Sequence, residues 1–538
     1  MERRFHPLAL VTVALLAFVI SVIGEVYSRA ADEGAANAPH YDLLITNARI
    51  VDGTGNPWYR ADVAIKDGRI ARIGAISQTE AQQVIDARGQ ILAPGFIDVH
   101  THVESIYEQP DAENFVRMGV TSLVTGNCGS SVTDVKEFLG RTKEHPLAVN
   151  LATLIAHGSI RARVMGLDAR QPTPEEQQKM EALVEQAMKD GAVGLSTGLI
   201  YVPGTYAKTD EVENLARVAA RYHGVYASHI RSESDKVFDA IKEAIAIGEA
   251  AQMPVEISHF KITSKRLWGK SDMTLGLVTA ARERGLPVTV DEYAYTASST
   301  SLDTLLPDWV LAGGRKTGSA RLEDKLARER AAHDMKEQLK RAGFKDYSYA
   351  VVASYNANPQ FNGKSIAEIA RKNLDAQIEQ IFEMYKAGGA GMVFHKMSED
   401  DMRRIMRAPF TMIASDSSVR TFGAGVPHPR GYGNNARVLG FYVRDLHLIT
   451  LEDAVRKMTS LPAQTFRLRD RGLVREGCAA DLVIFDEGKI ADQATFDRPH
   501  QYPVGINRVI VNGETVFADG QMTAARPGQA LRGAGASD

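Results

Sequence analysis

Phe96-Ile97-Asp98-Val99-His100-Thr101-His102 is a short apolar run that ends on two imidazoles two positions apart. In a strand, side chains alternate between faces, so His100 and His102 point the same way. The same ending recurs further on, in Val225-Tyr226-Ala227-Ser228-His229, Val255-Glu256-Ile257-Ser258-His259 and Met412-Ile413-Ala414-Ser415-Asp416. Each run closes on an ionisable residue where a core strand would place an aliphatic one. Counting outward from these, candidate strands end near His102, Asn127, His157, Ser196, His229, His259, Tyr293 and Asp416. Helical patterns separate most of them, most clearly Glu175 to Lys189 and Asp235 to Gln252. Alternating βα units of this number predict an α/β fold, a (β/α)8 TIM-type barrel with its active site at the C-terminal strand ends.

That placement gives the terminal residues a chemistry. His100, His102, His229 and His259 would converge on the barrel mouth, where imidazoles hold a metal ion. Read singly, each is also a buried, hydrogen-bonded core histidine; two at the same depth in successive strands favour the metal. Asp416 is either a helix N-cap or a metal-site base beside His100 and His102, since strand eight closes the barrel against strand one. Cys128, in Leu123-Val124-Thr125-Gly126-Asn127-Cys128-Gly129, admits three readings: a buried apolar residue, a nucleophile, or a thiolate ligand. Zinc favours sulfur and imidazole together, and the flanking glycines leave room for close approach.

The remainder of the 538 residues frames this barrel. Arg3, Arg4 and His6 precede an apolar run from Leu8 to Ile23, short for a spanning helix and suited to a signal peptide over residues 1–30 cleaved after Ser28-Arg29-Ala30. The expected location is therefore exported, periplasmic or secreted, with membrane contact only through that segment if it stays uncleaved. Residues 41–95 read as a β-meander. The texture returns over 468–525, with Asn512-Gly513 as a hairpin turn. The two ends predict one small discontinuous β-sandwich domain around a barrel spanning 96–467. More than a hundred residues separate Tyr295 from Phe410, too many for one crossover, and predict an insertion after strand seven (about 302–395) with helices at Leu322 to Arg341 and Ile366 to Ala387. The two cysteines, Cys128 and Cys478, do not make a disulfide framework, and Cys478 is read as structural. A net charge of −3 gives no basic surface for nucleic acid.

Several segments together resemble one family. They are Phe96 to His102, Gly126-Asn127-Cys128-Gly129, Gly194-Leu195-Ser196-Thr197-Gly198-Leu199, Ser258-His259-Phe260-Lys261, Asp291-Glu292-Tyr293-Ala294-Tyr295, Ser415-Asp416 and His428-Pro429-Arg430. The pattern resembles the amidohydrolase superfamily, and within it the D-aminoacylase (N-acyl-D-amino-acid deacylase) branch. Many superfamily members carry a metal-bridging lysine on strand four; this strand four offers none, and Cys128 looks like its substitute. The resemblance implies a tightly bound Zn2+ on Cys128, His229 and His259, and a weaker second site at His100, His102 and Asp416. It implies that Lys261, Tyr293 and Arg430 hold the carboxylate of a small-molecule N-acyl amino acid, with Ser299 in the same pocket. Asp416 is then the catalytic acid–base. Departures at Val103-Glu104, at Phe260 and at Ser417-Ser418 are expected at the pocket rim. Two other readings compete: a cyclic amide hydrolase of the dihydroorotase or hydantoinase kind, and an exported binding protein without catalysis.

Overall fold

The computed structural model describes residues 41–536, so the signal-peptide expectation for residues 1–30 lies outside the described residues. Eight parallel strand positions follow one another around a barrel. Strands one to three are Phe96–Asp98, Val120–Thr125 and Asn150–Thr153, the last continuing as Ile155–Ala156. Strands four to eight are Gly194–Gly198, Val225–His229, Val255–Ile257, Val288–Glu292 and Thr411–Ile413, each hydrogen-bonded to the next. A parallel bridge between Thr101 and Ser417 closes the ring, and the Asp416 amide donates to the His100 carbonyl at 2.9 Å. Strand eight thus brings Asp416 beside strand one.

The crossover helices begin where their sequences carry capping chemistry. Pro174–Lys189 starts with Thr173 and Glu176 in a reciprocal capping box and proline in its first turn. Val237–Ala251 ends as Gln252 turns left-handed. Met180, Val184 and Met188 on the first helix, and Ile241, Ile245 and Ile247 on the second, join the core around the barrel.

Between strands seven and eight the chain builds a body with its own core. Ser298–Ser301, Gly391–Phe394 and Ala350–Ser354 pair antiparallel in that order. Helices Lys325–Ala342 and Leu374–Lys386 pack on them through Met335, Leu339, Ile381 and Phe382. The single helix expected over Ile366 to Ala387 is two, because Arg371 turns left-handed (φ 51°) and Asn373 caps a fresh start at Leu374.

Both ends of the described chain enter one nine-stranded sheet. Leu482–Phe485 is the junction, antiparallel to Ile91–Pro94 on one side and to Ile506–Val511 on the other. The strand Tyr41–Ile50 changes partner near Asn47, from Ala81–Asp86 to Ile91–Pro94. Asn512 and Gly513 both take positive φ, as the tight hairpin turn requires. Beyond the sheet, residues up to 533 return along the barrel, where the Leu151 amide donates to the Gln529 carbonyl at 2.9 Å. Among the described residues no helix is long and apolar enough to cross a membrane.

Candidate metal centre and substrate cleft

Of the six candidate ligands only His229 lies within its strand; His100 and His102 follow strand one, which stops at Asp98, and three others turn left-handed past their strand ends. Strands two, six and eight stop at Thr125, Ile257 and Ile413; Cys128, His259 and Asp416 follow with φ of 53°, 36° and 50°. Left-handed backbone is costly for non-glycine residues, by about 1–3 kcal/mol each, and persists where surrounding contacts impose it. Those contacts are visible at Cys128. A Cβ on Gly126 would meet the Leu154 carbonyl oxygen at 2.4 Å, and one on Gly198 would meet the Cys128 carbonyl oxygen at 2.0 Å. The cysteine loop is therefore pressed onto strands three and four. The end of strand four has no room for a side chain there.

The six side chains meet in overlapping groups: His100, His102 and Cys128; Cys128, His229 and His259; His100, His259 and Asp416. Within each, the candidate ligand atoms lie within 4.8 Å of one another. Cys128 Sγ is 3.2 Å from His100 Nε2 and 3.5 Å from His259 Nε2. Asp416 Oδ1 is 3.2 Å from His102 Nε2 and 3.7 Å from His100 Nε2, while its Oδ2 meets Arg430 Nη1 at 2.9 Å. Burial opposes ionisation of the Cys128 thiol, but His100 and His259 outweigh it and hold the thiol well below its usual value. Burial and the neighbouring His259 push His229 down, towards the neutral imidazole that ligates metals. Both ring nitrogens of His229 are buried and lack any hydrogen-bond partner. Such orphaned polar atoms are rare unless an ion or water meets them. A thiolate, neutral imidazoles and a carboxylate at these separations fit a zinc-type ion.

A second layer, absent from the sequence reading, orients this set. Asp291 Oδ2 lies 3.0 Å from His100 Nδ1, and its Oδ1 accepts from the His259 amide at 3.0 Å. Glu233 Oε1 is 3.0 Å from His259 Nδ1 and 2.5 Å from Lys261 Nζ. Carboxylates behind metal-site imidazoles fix tautomer and ring direction. Tyr201 packs edge-on against His229 at 4.8 Å, its hydroxyl 3.0 Å from Thr300 Oγ1. Asp291 had a legible signal, a carboxylate inside a buried strand. Glu233 and Tyr201 sit in loops and had none.

The cluster forms the floor of a cleft of about 1670 Å³ whose opposite wall comes largely from the insertion. Lys261, Ser299 and Arg430 line it. Tyr293 lies behind, fully buried, its ring 4.5 Å from the Arg430 guanidinium and 5.6 Å from Lys261 Nζ. Arg430 Nη2 donates to the Ser299 carbonyl at 3.3 Å, so Ser299 meets it through backbone. Lys261 is committed to Glu233 and to the His259 carbonyl. Of the departures expected at the rim, only Ser417 and Ser418 line the cleft. Phe260 is buried in the barrel core. Glu104 accepts from Thr125 Oγ1 and the Gly126 amide, pinning the cysteine loop. His157 opens a helix and pairs with buried Glu211, away from the cluster.

A closed (β/α)8 barrel with a thiolate, four imidazoles and a carboxylate at its strand ends defines the class: a metal-dependent hydrolase whose site opens into a cleft. The family is equally clear: residues 83–517 match the Amidohydrolase family, and the chain belongs to it. Residues 22–93 also match the urease alpha-subunit N-terminal domain. An N-acyl-D-glutamate deacylase of Alcaligenes xylosoxydans xylosoxydans is 36% identical, over 91% of this chain and 96% of its own length. A D-aminoacylase of the same organism is 34% identical, over 91% and 97%. Among solved structures, an N-acyl-D-glutamate deacylase from Bordetella bronchiseptica, complexed with zinc and a phosphonate inhibitor, superposes with a TM-score of 0.79 at 35% identity, covering 92% of this chain and all of that one. The chain is thus an amidohydrolase of the D-aminoacylase branch, an enzyme acting on carbon–nitrogen bonds other than peptide bonds. A D-hydantoinase structure at 16% identity and TM-score 0.54 shares the fold.

Proposed function

We propose that this enzyme deacylates N-acyl-D-amino acids to a free amino acid and a carboxylic acid, with zinc on Cys128, His229 and His259. His100, His102 and Asp416 form the weaker second locus. The observation that carries the reading is the position of Asp416: one oxygen faces the imidazoles and the other faces Arg430 at the cleft wall. When bound, the ion lowers the pKa of water to near 7 and polarises the scissile carbonyl. Asp416 supplies the proton traffic. Burial alone would raise its pKa, but Arg430, His100 and the bond from His102 hold it well below the usual range, so it is ionised at neutral pH. It takes the proton of the attacking water and delivers it to the departing amide nitrogen.

Arg430 binds the α-carboxylate through donors not used on Asp416 and Ser299; its Nε has no partner among the described residues. Tyr293 assists as a neutral phenol, since burial raises its pKa well above the usual value, and its hydroxyl otherwise meets only Met397 sulfur at 3.5 Å. D-handedness is supported by the relatives, which are named for D-substrates along nearly the whole chain. Export is supported by the basic start and the apolar run from Leu8 to Ile23. In Asp416→Asn, kcat falls by about 10³-fold, within the range for loss of general acid–base catalysis, while zinc measured by mass spectrometry stays bound. Undiminished turnover by that variant would remove Asp416 from the mechanism.

A further inference from the structure

One carboxylate stands between the metal-ligand cluster and a cation of the cleft. Glu233 Oε1 lies 2.5 Å from Lys261 Nζ, 3.0 Å from His259 Nδ1 and 3.9 Å from His229 Nε2. Glu233 is buried, which leaves little water to replace either close partner. Its loop is fixed: the Glu233 carbonyl accepts from the Thr263 amide at 2.7 Å and from the Thr263 hydroxyl at 3.0 Å. Lys261 is drawn in as well. At the left-handed turn of His259, that residue's carbonyl accepts from Lys261 Nζ at 2.7 Å, while its amide donates to Asp291 Oδ1 at 3.0 Å. The ammonium is therefore folded back towards the metal ligands.

Two demands thus fall on one oxygen. Lys261 and Arg430 both line the cleft, and both lie near the Tyr293 ring, at 5.6 Å and 4.5 Å. A substrate carboxylate held by Arg430 recruits Lys261 only in competition with Glu233. His259 makes the other demand. Its Nε2 faces Cys128 Sγ at 3.5 Å, and its Nδ1 faces Glu233. A cation on Nε2 draws electrons from the ring and makes Nδ1–H the stronger donor, which pulls Glu233 away from Lys261.

We propose that Glu233 is a positioning residue that switches between Lys261 and His259, so that metal on His259 releases Lys261 to the substrate carboxylate. The reverse holds by linkage: a carboxylate on Lys261 returns Glu233 to His259 and tightens the metal. The proposal rests on the deacylase reading for its ligand and adds an order to it, metal before substrate. It also accounts for a lysine that lines the cleft yet is committed to protein groups.

The test needs no turnover. Titration calorimetry measures D-alanine on the metal-free and the zinc-loaded full chain, and competition with a chelator measures zinc affinity. Zinc-loaded wild type binds D-alanine at least about 5-fold more tightly than the metal-free protein, the low end for coupled sites. In Glu233→Gln, Lys261 is free without metal. The metal-free variant therefore binds D-alanine about 5-fold more tightly than metal-free wild type. Its zinc affinity falls by about 10-fold, the low end for an outer-shell loss. Direct attraction between zinc and ligand persists, so the zinc-loaded to metal-free ratio shrinks in the variant without reaching one. Opposed shifts mark a switch, whereas structural damage weakens both affinities. Glu233→Asp, which keeps the charge on a shorter stem, falls between the two on both scales, and circular dichroism checks that both variants are folded. Equal D-alanine affinity with and without zinc in wild type, no binding to either form, or shifts of the same sign in Glu233→Gln would overturn the proposal. Hydrolysis of no D-substrate, with the opposed shifts present, would fail the deacylase reading and leave the switch standing.

Discussion

Cys128 shows how much one position can demand. Its backbone is left-handed, its two flanking glycines cannot carry a Cβ, and its sulfur lies among imidazoles of strands one and six. A thiol held well below its usual pKa among imidazoles has the chemistry of a metal ligand. A serine of similar size would keep a proton that a metal ligand must lose. Cys128→Ser therefore weakens metal binding by at least about 100-fold, because even an outer-shell loss costs 10–100-fold. Competition with a graded chelator measures this, and unchanged affinity would assign the cysteine a packing role. The histidines and Asp416 were legible because each interrupts an apolar run. Glu233 and Tyr201 were not, because loop residues have no period to break. The left-handed turns were equally hidden: period-two reading carried strands six and eight to His259 and Asp416, whereas pairing ends at Ile257 and Ile413.

The insertion is the element that gives the barrel's metal-ligand cluster a second wall. Its location was legible from spacing alone, since no crossover needs the chain between Tyr295 and Phe410. Its three-stranded sheet was not, because Ser298–Ser301 is a polar strand without apolar alternation. That sheet carries Ser299 on one strand and leads into Lys396 from another, both at the cleft. Burial lowers the Lys396 ammonium to about 8, with Glu233 pulling upward and Lys261 pushing down. The amine is charged below that value and neutral above it, so an anionic substrate loses a nearby positive charge as pH rises. KM for an N-acetyl-D-amino acid should climb above about pH 8, by at most tenfold per unit. The climb should be flattened in Lys396→Met. A KM that rises equally in the variant would place the titrating group elsewhere.

At the scale of the whole molecule, a short strand joins what the sequence separates. Leu482–Phe485 binds residues 91–94 to the C-terminal hairpin, and buried Arg471 and Asp481 pair beneath it. Asp481 also accepts from Asn150 of strand three at 2.9 Å, tying the sheet to the barrel. The barrel was legible because eight apolar runs each end on a polar group. The shared sheet was legible as two β-rich ends, but its junction and the returning tail were not, since pairing across nearly four hundred residues leaves no local trace. This frame opens the cluster of candidate metal ligands into the cleft, which is the basis of the functional claim. Its most direct test measures acid release from N-acetyl amino acids in matched D and L forms, with zinc-loaded and chelator-stripped protein. Zinc-dependent hydrolysis confined to the D series is the expected result. Equal hydrolysis of the L series, or hydrolysis that survives complete removal of metal, would contradict it.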